Sequence, residues 1–258
     1  MMAVYAVPSS TTKVVNAARR AIAHPVWLRE TLRGKLRARS DVKKDLSLAA
    51  YVGDFESVEH TVMAAYGISS EQYKALRGRV RIPERASDDL WSGGAELLEV
   101  AGVVVLLKRP QIVVETGVAM GFTSAVILAA LHENRCGVLH SVDLPPLRVD
   151  PDTFVGRVVP NELRDSWSLM FGPTRTVLPT LLRSIGPIDI FVHDSDHSHD
   201  GQSEDYRLAW PALARGGTLI SDDVCNPAFL DFAAEVAAFP HLIGSPDHDA
   251  AVGLLVKG

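Results

Sequence analysis

Residues 113–124 read VVETGVAMGFTS, an apolar run that meets two glycines and then a helical pattern. The run ends at Glu115, Gly117 and Gly121 follow, and Thr123 opens the next segment. Glycine permits a sharp turn and a close approach by a ligand, and the first turn of a helix presents unpaired N–H groups. The pattern predicts a strand, a tight turn and a helix, although a purely structural turn would read the same way. The glycine spacing is neither GxGxxG nor GxxxxGK[ST], which disfavours a dinucleotide or a nucleoside triphosphate.

Downstream of residue 110, short β-rich runs alternate with helical patterns. The predicted strands are 111–115, 138–143, 166–171, 188–194, 218–222 and 251–256. The predicted helices between them are 123–133, 176–184, 203–213 and 228–238. Such alternation indicates βαβ units, and strands that are apolar throughout are typical of a parallel sheet covered on both faces. The sequence therefore predicts a three-layer α/β sandwich.

The composition is that of a globular protein with an ample core. The chain has 258 residues, of which 47% are hydrophobic and 22% charged, enough for one large domain or one domain with an appendage. Its longest uncharged apolar run, residues 100–107, falls far short of the roughly 20 residues of a membrane span. The first residues carry no basic leader, and two cysteines provide neither a disulfide framework nor a zinc-ribbon spacing. We expect a cytoplasmic protein.

Charge is divided unevenly along the chain. Residues 1–90 carry 15 Lys and Arg against 10 Asp and Glu, whereas the remaining residues carry 11 against 21. Nine basic residues fall between Arg19 and Lys44, a segment that could meet nucleic acid, anionic lipid, an acidic substrate or another subunit, or form a solvated helix face. The acidic remainder argues against a nucleic-acid enzyme. Helical spacing predicts short helices before residue 88 and a longer one over 89–108.

Acidic residues end four of the predicted strands. They are Glu115, Asp143, Asp194 and the pair Asp222–Asp223. In open parallel sheets, ligands bind beyond the carboxyl ends of the strands, near the point where the strand order reverses. Asp143 follows Glu115 by one strand, where an acid can accept hydrogen bonds from the two hydroxyls of a ribose. With the glycine turn, it indicates a nucleoside-containing ligand without a pyrophosphate.

The last two of these strand ends are rich in acids and imidazoles. Residues 188–201 read IDIFVHDSDHSHDG, and residues 216–224 read GGTLISDDV. Carboxylates gathered at adjacent strand ends repel one another unless a cation or a proton intervenes. A hard divalent ion such as Mg²⁺ would remove that repulsion. Zinc bound by His197 and His199 is an alternative, as is a set of acids that only cap helices and bind water.

Together these stretches resemble the class I S-adenosylmethionine-dependent methyltransferases, most closely the metal-dependent small-molecule O-methyltransferases of the catechol, caffeoyl-CoA and macrolide-sugar types. The resemblance covers 89–258 and implies a Rossmann-like, mostly parallel seven-stranded sheet. Residues 1–88 have no counterpart in it, and we expect them to form a helical extension that acts as a lid or in dimerisation. ETGVAMGFTS is similar to the family's E-x-G-x-x-x-G-[YF]-[ST] turn. On that match Glu115, Gly117, Gly121 and Thr123 hold the methionine part of the cofactor, and Asp143 binds the ribose.

The resemblance extends to a metal site. FVHDSDH is similar to the family's strand end that supplies a metal ligand, here Asp194, which also borders the cofactor and the reaction. SDDV is similar to the acidic pair that supplies the other two ligands, here Asp222 and Asp223. His197 lies where the macrolide-sugar enzymes carry a histidine base. The implied reaction is Mg²⁺-assisted methylation of a hydroxyl on a small natural-product, sugar or phenolic acceptor.

Other functions stay open at this point. A protein that binds S-adenosylmethionine without catalysis, or a metal-free methyltransferase for nitrogen or carbon, would share the cofactor turn. A dehydrogenase is disfavoured by the missing GxGxxG, and a metal-dependent hydrolase would leave Glu115 and Asp143 without a role. We expect a small-molecule acceptor, no nucleic-acid or membrane partner, and a homo-oligomer, preferably a dimer.

Overall fold

The computed structural model describes residues 10–41, 55–84, 94–244 and 251–258. Its N-terminal helices are α1 (Ser10–Ala23), α2 (Pro25–Asp41), α3 (Val58–Tyr66), α4 (Ser70–Arg77) and α5 (Ala95–Lys108). Side chains fix several of their ends. Ser57 accepts a hydrogen bond at the start of α3, and Ser69 with Gln72 forms a reciprocal capping box at the start of α4.

From residue 112 onward strands and helices alternate. The elements are β1 (Ile112–Thr116), α6 (Phe122–Asn134), β2 (Val138–Asp143), the short α7 (Pro151–Phe154), a 3₁₀ helix (Asn161–Ser166), β3 (Trp167–Phe171), α8 (Thr174–Ile185), β4 (Ile188–His193), α9 (His199–Ala212), β5 (Leu213–Ser221), α10 (Ala228–Glu235), β6 (His241–Ile243) and β7 (Val252–Val256).

The strands form one seven-stranded sheet in the order β3-β2-β1-β4-β5-β7-β6. The first five are parallel, and β7 runs antiparallel to both β5 and β6. Strand order reverses between β1 and β4, which creates a crevice at the carboxyl edge. In the register, Thr116 pairs with Val142 and with His193, and His193 pairs with Ser221. The residues that follow these four positions therefore meet at one edge.

Apolar side chains cover both faces of the sheet. Alternate strand residues point to opposite faces, so Val113 and Ile190 join the core on the α5–α6 side, whereas Val114 and Phe191 join the core on the side of α8, α9 and α10. Helix α5 is buried along most of its length. A Cβ on Gly102 would come within 2.7 Å of Val80, so this glycine permits the close packing of α5.

The structure confirms the predicted three-layer sandwich, the mostly parallel seven-stranded sheet and the N-terminal helices. Most predicted strands match within one residue, but β5 begins at Leu213, earlier than the predicted 218. The predicted start of α9 at residue 203 was wrong, because Ser198 caps the helix and α9 begins at His199, four residues earlier. The three-residue β6 and α7 were not predicted. The proposed boundary between residues 88 and 89 lies outside the described residues and stays a prediction.

Within the described part of the chain, the helices are too short or too polar to cross a membrane.

Candidate active site

A cavity of about 710 Å³ opens at the carboxyl edge of the sheet. Its floor is formed by the ends of β1, β2, β4 and β5, and one face of α2 covers it from above. Among the predicted site residues, the ones that line the cavity are Gly117, Asp143, Asp194, His197, Asp222 and Asp223. Glu115, Gly121 and Thr123 are not among the lining residues.

The turn after β1 depends on glycine. Gly117 has a φ of +82°, and its N–H donates to the carbonyl of Val142 at 2.9 Å. A Cβ at this position would lie 1.7 Å from the carbonyl oxygen of Asp194, so a side chain cannot be accommodated without moving β4. Gly121, with a φ of +92°, is the residue that precedes α6, and its Cβ would meet the Cα of Gly156 at 2.8 Å. Both glycines are therefore required by the backbone geometry.

Asp143 joins this turn to the end of β2. Its Oδ1 accepts hydrogen bonds from the backbone N–H groups of Val118 at 2.8 Å and Ala119 at 3.4 Å. Its Oδ2 is buried and has no hydrogen-bond partner. Burial raises the pKa of Asp143, and the two backbone donors partly offset this. A buried carboxylate oxygen without a partner is costly, so this atom is poised to accept a hydrogen bond from a ligand.

Glu115 lies beneath the turn and is completely buried. Its Oε2 accepts hydrogen bonds from Ser124 at 2.7 Å and Ser141 at 2.6 Å. Burial raises its pKa to about 8, although these two hydroxyls act in the opposite direction. Glu115 thus ties β1 to β2 and α6. Thr123, which is also buried, lies in the first turn of α6.

Three groups suited to a metal ion lie together at the ends of β4 and β5. Asp194, His197 and Asp222 each offer a ligand atom, and these atoms all lie within 4.8 Å of one another. Burial and the negative charges of Asp194 and Asp223 raise the pKa of Asp222, so its charged form is destabilised in the arrangement as it stands. A cation would relieve that cost. Two carboxylates and one imidazole form a donor set that a divalent ion fits.

Asp223 is placed differently from the other two predicted ligands. Its backbone is in the left-handed region, with a φ of +46°, and its carboxylate lies 3.0 Å from His197 Nδ1. It is not a member of the group of three within 4.8 Å. Contact with His197 lowers the pKa of Asp223. Asp194, His197 and Asp222 therefore lie together, whereas the carboxylate of Asp223 contacts the imidazole of His197.

His197 lies between two carboxylates. Its Nε2 is 3.4 Å from Asp194 Oδ1, opposite the contact with Asp223. Burial lowers the pKa of His197, but the hydrogen bonds and charges of the two carboxylates outweigh it and raise the pKa to about 10. In this arrangement the imidazole is a cation at neutral pH. The ring can accept a proton only when another cation balances the negative charges of Asp194 and Asp223.

The sequence reasoning missed the residues that brace this edge. Gln202, on α9, donates from Nε2 to the carbonyls of Asp222 and Asp223, each at 3.2 Å. Asn226 donates to the carbonyl of His197 at 2.9 Å and to Gln202 Oε1 at 2.8 Å. The available signal was weak, a fully buried glutamine in the first turn of a helix that follows the HDSDHSHD stretch. These two amides fix the loops that carry His197, Asp222 and Asp223.

Comparison with known proteins finds a family model that is similar to the central part of the chain. Residues 114–224 match the family model described as a methyltransferase domain. No curated protein matches the sequence.

Several solved structures share the fold at low identity. An O-methyltransferase from Bacillus cereus in complex with SAH is 14% identical, covers 78% of this chain and 97% of its own, and has a TM-score of 0.53. Cofactor-bound Rv0187 from MTB is 18% identical, covers 84% and 97%, and has a TM-score of 0.54. A putative caffeoyl-CoA O-methyltransferase from Staphylococcus aureus is 12% identical, covers 78% and 99%, and has a TM-score of 0.51.

These neighbours share the overall fold. The residues matched by the family model run from within β1 to just beyond β5 and include the glycine turn and the strand-end acids. The central part of the chain, residues 114–224, is therefore similar to methyltransferase domains.

Proposed function

We propose that the chain is a divalent-metal-dependent O-methyltransferase that transfers the methyl group of S-adenosylmethionine to a hydroxyl of a small molecule. The observation that carries the proposal is the approach of Asp194, His197 and Asp222 ligand atoms to within 4.8 Å beside a cavity that Gly117 and Asp143 also line. The names of the B. cereus and S. aureus neighbours, both O-methyltransferases, support oxygen as the acceptor atom.

The cofactor would be held at the β1 and β2 ends. Gly117 lines the cavity, and the absence of a side chain lets its backbone pack directly against the carbonyl of Asp194 at the end of β4. Asp143 offers its unpartnered Oδ2 to a hydroxyl, as a ribose would require. Glu115 acts from below by holding Ser124 and Ser141, and so keeps the turn and the start of α6 in place.

The metal would be held by Asp194 and Asp222, with His197 within reach as a third donor. Oxygen donors outnumber nitrogen in this set, which favours Mg²⁺ or Mn²⁺ over zinc. When bound, S-adenosylmethionine supplies an electrophilic methyl group and a divalent ion lowers the pKa of a hydroxyl. The protein would orient the two reactants side by side at the carboxyl edge of the sheet, where the strand order reverses between β1 and β4. It would also keep carboxylates near the proton that the acceptor hydroxyl loses.

His197 has two roles available, and they exclude each other. As a ligand it contributes a ring nitrogen, whereas as a base it must keep that nitrogen free for the acceptor proton. Its contact with Asp223 at 3.0 Å orients the ring in either case. We favour His197 as the base with Asp194 and Asp222 as the principal ligands, because a metal ion on those two carboxylates would offset the negative charge that now raises the pKa of the imidazole and would leave its ring nitrogen free to accept a proton.

A second candidate is a metal-free protein on the same fold, either a methyltransferase for nitrogen or carbon or a binder of S-adenosylmethionine. One observation favours it. The His197 imidazolium already lies within ion-pair distance of both Asp194 and Asp223 and neutralises part of the cluster without any metal.

The two candidates are separated by metal binding and metal dependence. Titration calorimetry with MgCl₂ and with MnCl₂ on the full chain should show a single site that Asp222→Asn removes. Transfer of a labelled methyl group from S-adenosylmethionine to a panel of catechols, other phenols and sugars should stop on addition of EDTA and resume with excess Mg²⁺. Absence of metal binding, or transfer that persists in EDTA, overturns the proposal and leaves the metal-free alternative.

The cavity volume of about 710 Å³ suits a cofactor with a small acceptor rather than a macromolecule. A homodimer and a cytoplasmic location stay predictions.

A further inference from the structure

Helix α2 covers the cavity through polar contacts. We define the roof as the face of α2 that lines the cavity, namely Glu30, Thr31, Gly34, Lys35 and Arg37. On the outside of the same helix, Leu32 and Leu36 are 52% and 66% exposed, so α2 buries little of its apolar surface. Its aromatic contact with the body of the protein is Trp27 against Phe171, with ring centroids 6.5 Å apart. Packing of apolar side chains therefore contributes little to the position of the roof.

Arg37 makes the densest of the polar contacts. The side chain is only 12% exposed. Its Nη2 donates to Glu204 Oε1 at 3.0 Å, its Nη1 lies 3.4 Å from Asp196 Oδ2, and its Nε lies 3.6 Å from Asp200 Oδ2. Glu204 and Asp200 belong to α9, whereas Asp196 lies between Asp194 and His197 in the chain. One guanidinium thus joins α2 to the segment that carries two of the proposed site residues.

Two further side chains, Glu30 and Arg20, fix the helix pair through polar contacts. Glu30 accepts a hydrogen bond from Arg175, in the first turn of α8, at 2.6 Å. Arg20 of α1 donates to the carbonyl of Leu147 at 3.2 Å and lies 3.4 Å from Asp150. The basic segment found in the sequence therefore has a use within the chain, because Arg20 and Arg37 pair with acids of the C-terminal part.

Gly34 allows the roof to approach the site closely. A Cβ at this position would lie 3.8 Å from Asp196 Oδ2, so a longer side chain would enter the space between α2 and the site.

We propose that Arg37 is a positioning residue that holds α2 as the roof of the cavity, and that the roof opens when its ion pairs to Asp196 and Glu204 break. The inference rests on the proposed function to the extent that the cavity is where cofactor and acceptor meet. Because α2 lines one side of the cavity, it helps to retain a ligand bound there, and loss of the Arg37 contacts should speed ligand release. Ion pairs at a partly exposed interface weaken as salt rises, and the same motion should become faster.

The test compares Arg37→Gln with Arg29→Gln, a matched control because Arg29 lies on the same helix, is exposed and does not line the cavity. The readouts are amide hydrogen exchange of α2 and the dissociation rate of S-adenosylhomocysteine. Arg37→Gln should raise both roughly 10-fold, since a hydrogen bond to a charged group contributes this order of stabilisation. In the wild-type protein, raising NaCl from about 0.05 M to about 1 M should likewise speed amide exchange of α2 and dissociation of S-adenosylhomocysteine.

A general loss of stability would look different. It would lower the melting temperature and raise exchange in β4 as well as in α2, whereas the proposal expects both to stay at the wild-type value. Arg37→Lys, which keeps the charge but loses the planar fork, should restore part of the slow release. Unchanged α2 exchange and ligand release in Arg37→Gln, or equal effects in Arg29→Gln, would overturn the inference. Failure of the proposed function would appear instead as absent metal binding, with the α2 exchange result still readable.

Discussion

Two pairs of carboxylates end neighbouring strands at the same edge of the sheet, and the two pairs have opposite surroundings: hydrogen-bond donors in one, other carboxylates in the other. Glu115 and Asp143, on β1 and β2, receive hydrogen bonds from hydroxyls and backbone N–H groups. Asp194 and Asp222, at the ends of β4 and β5, lie near each other and near Asp223, and burial together with these like charges raises the pKa of Asp222. An acid at a strand end therefore does not specify a ligand by itself. The donors that surround it decide whether it suits a neutral hydroxyl or a cation.

The largest effect is expected on the cation side. Asp222→Asn removes a charge but keeps the size of the side chain, so it should abolish most metal affinity and lower methyl transfer on the order of 10²–10³-fold, as the loss of one electrostatic stabiliser does. Binding of S-adenosylhomocysteine should stay within about two-fold, because Asp143 and the glycine turn are untouched. Calorimetry with Mg²⁺ and with S-adenosylhomocysteine measures both. Asp231→Asn, an exposed acid that pairs with His199, serves as the control and should change neither.

The reverse pattern is expected on the hydroxyl side. Asp143→Asn replaces the charged acceptor with an amide, and its affinity for S-adenosylhomocysteine should fall about 10- to 100-fold, which corresponds to the loss of a charged hydrogen bond. Mg²⁺ affinity should be unchanged. If both variants weakened both ligands equally, the division of the edge into two kinds of site would be wrong.

The alternation of strands and helices was enough to predict the sheet. Nearly continuous apolar runs such as 188–193 can be buried on both faces only in a covered parallel sheet, and the structure places them there. The glycine turn was predictable for a similar reason, since Gly117 must adopt a positive φ beside Asp194. Local composition and steric requirements determine these features. Strand β6, with three residues, carries too little pattern to be found.

The arrangement inside the site was harder to predict. Adjacent in sequence, Asp222 and Asp223 read as equivalent ligands, but the left-handed backbone at Asp223 turns its carboxylate to His197. The position of α2 above the cavity depends on ion pairs between residues more than 150 positions apart, such as Arg37 and Glu204, and no local pattern reports such a pairing. Backbone conformation and long-range contacts had to be seen in the structure.

The raised pKa of Glu115 predicts that the free energy of unfolding depends on pH. Its folded pKa is raised to about 8, whereas a carboxyl of the unfolded chain titrates near 4.5. Because the folded state holds the proton more tightly, the stabilisation is present below about pH 4.5 and is lost as pH rises towards 8, with a slope of at most about 1.4 kcal/mol per pH unit. Glu115→Gln keeps an acceptor for Ser124 and Ser141 and cannot ionise. Denaturant unfolding between pH 5 and pH 8 should show a flatter profile for the variant, and parallel profiles would mean that Glu115 does not carry this proton.

The smallest effect, and the one that sharpens the comparison most, concerns Asp223. Since its carboxylate contacts His197 rather than joining the group of three, it should act as a support for the ring and not as a ligand. Asp223→Asn should lower Mg²⁺ affinity and methyl transfer by about 10-fold, the lower range for groups that orient a metal site, and less than Asp222→Asn does. The two substitutions are matched in chemistry and adjacent in sequence, so calorimetry of the pair under one set of conditions isolates geometry as the cause. Equal losses in both variants would mean that Asp223 turns towards the ion when the ion binds, and would return it to the set of direct ligands that the sequence predicted.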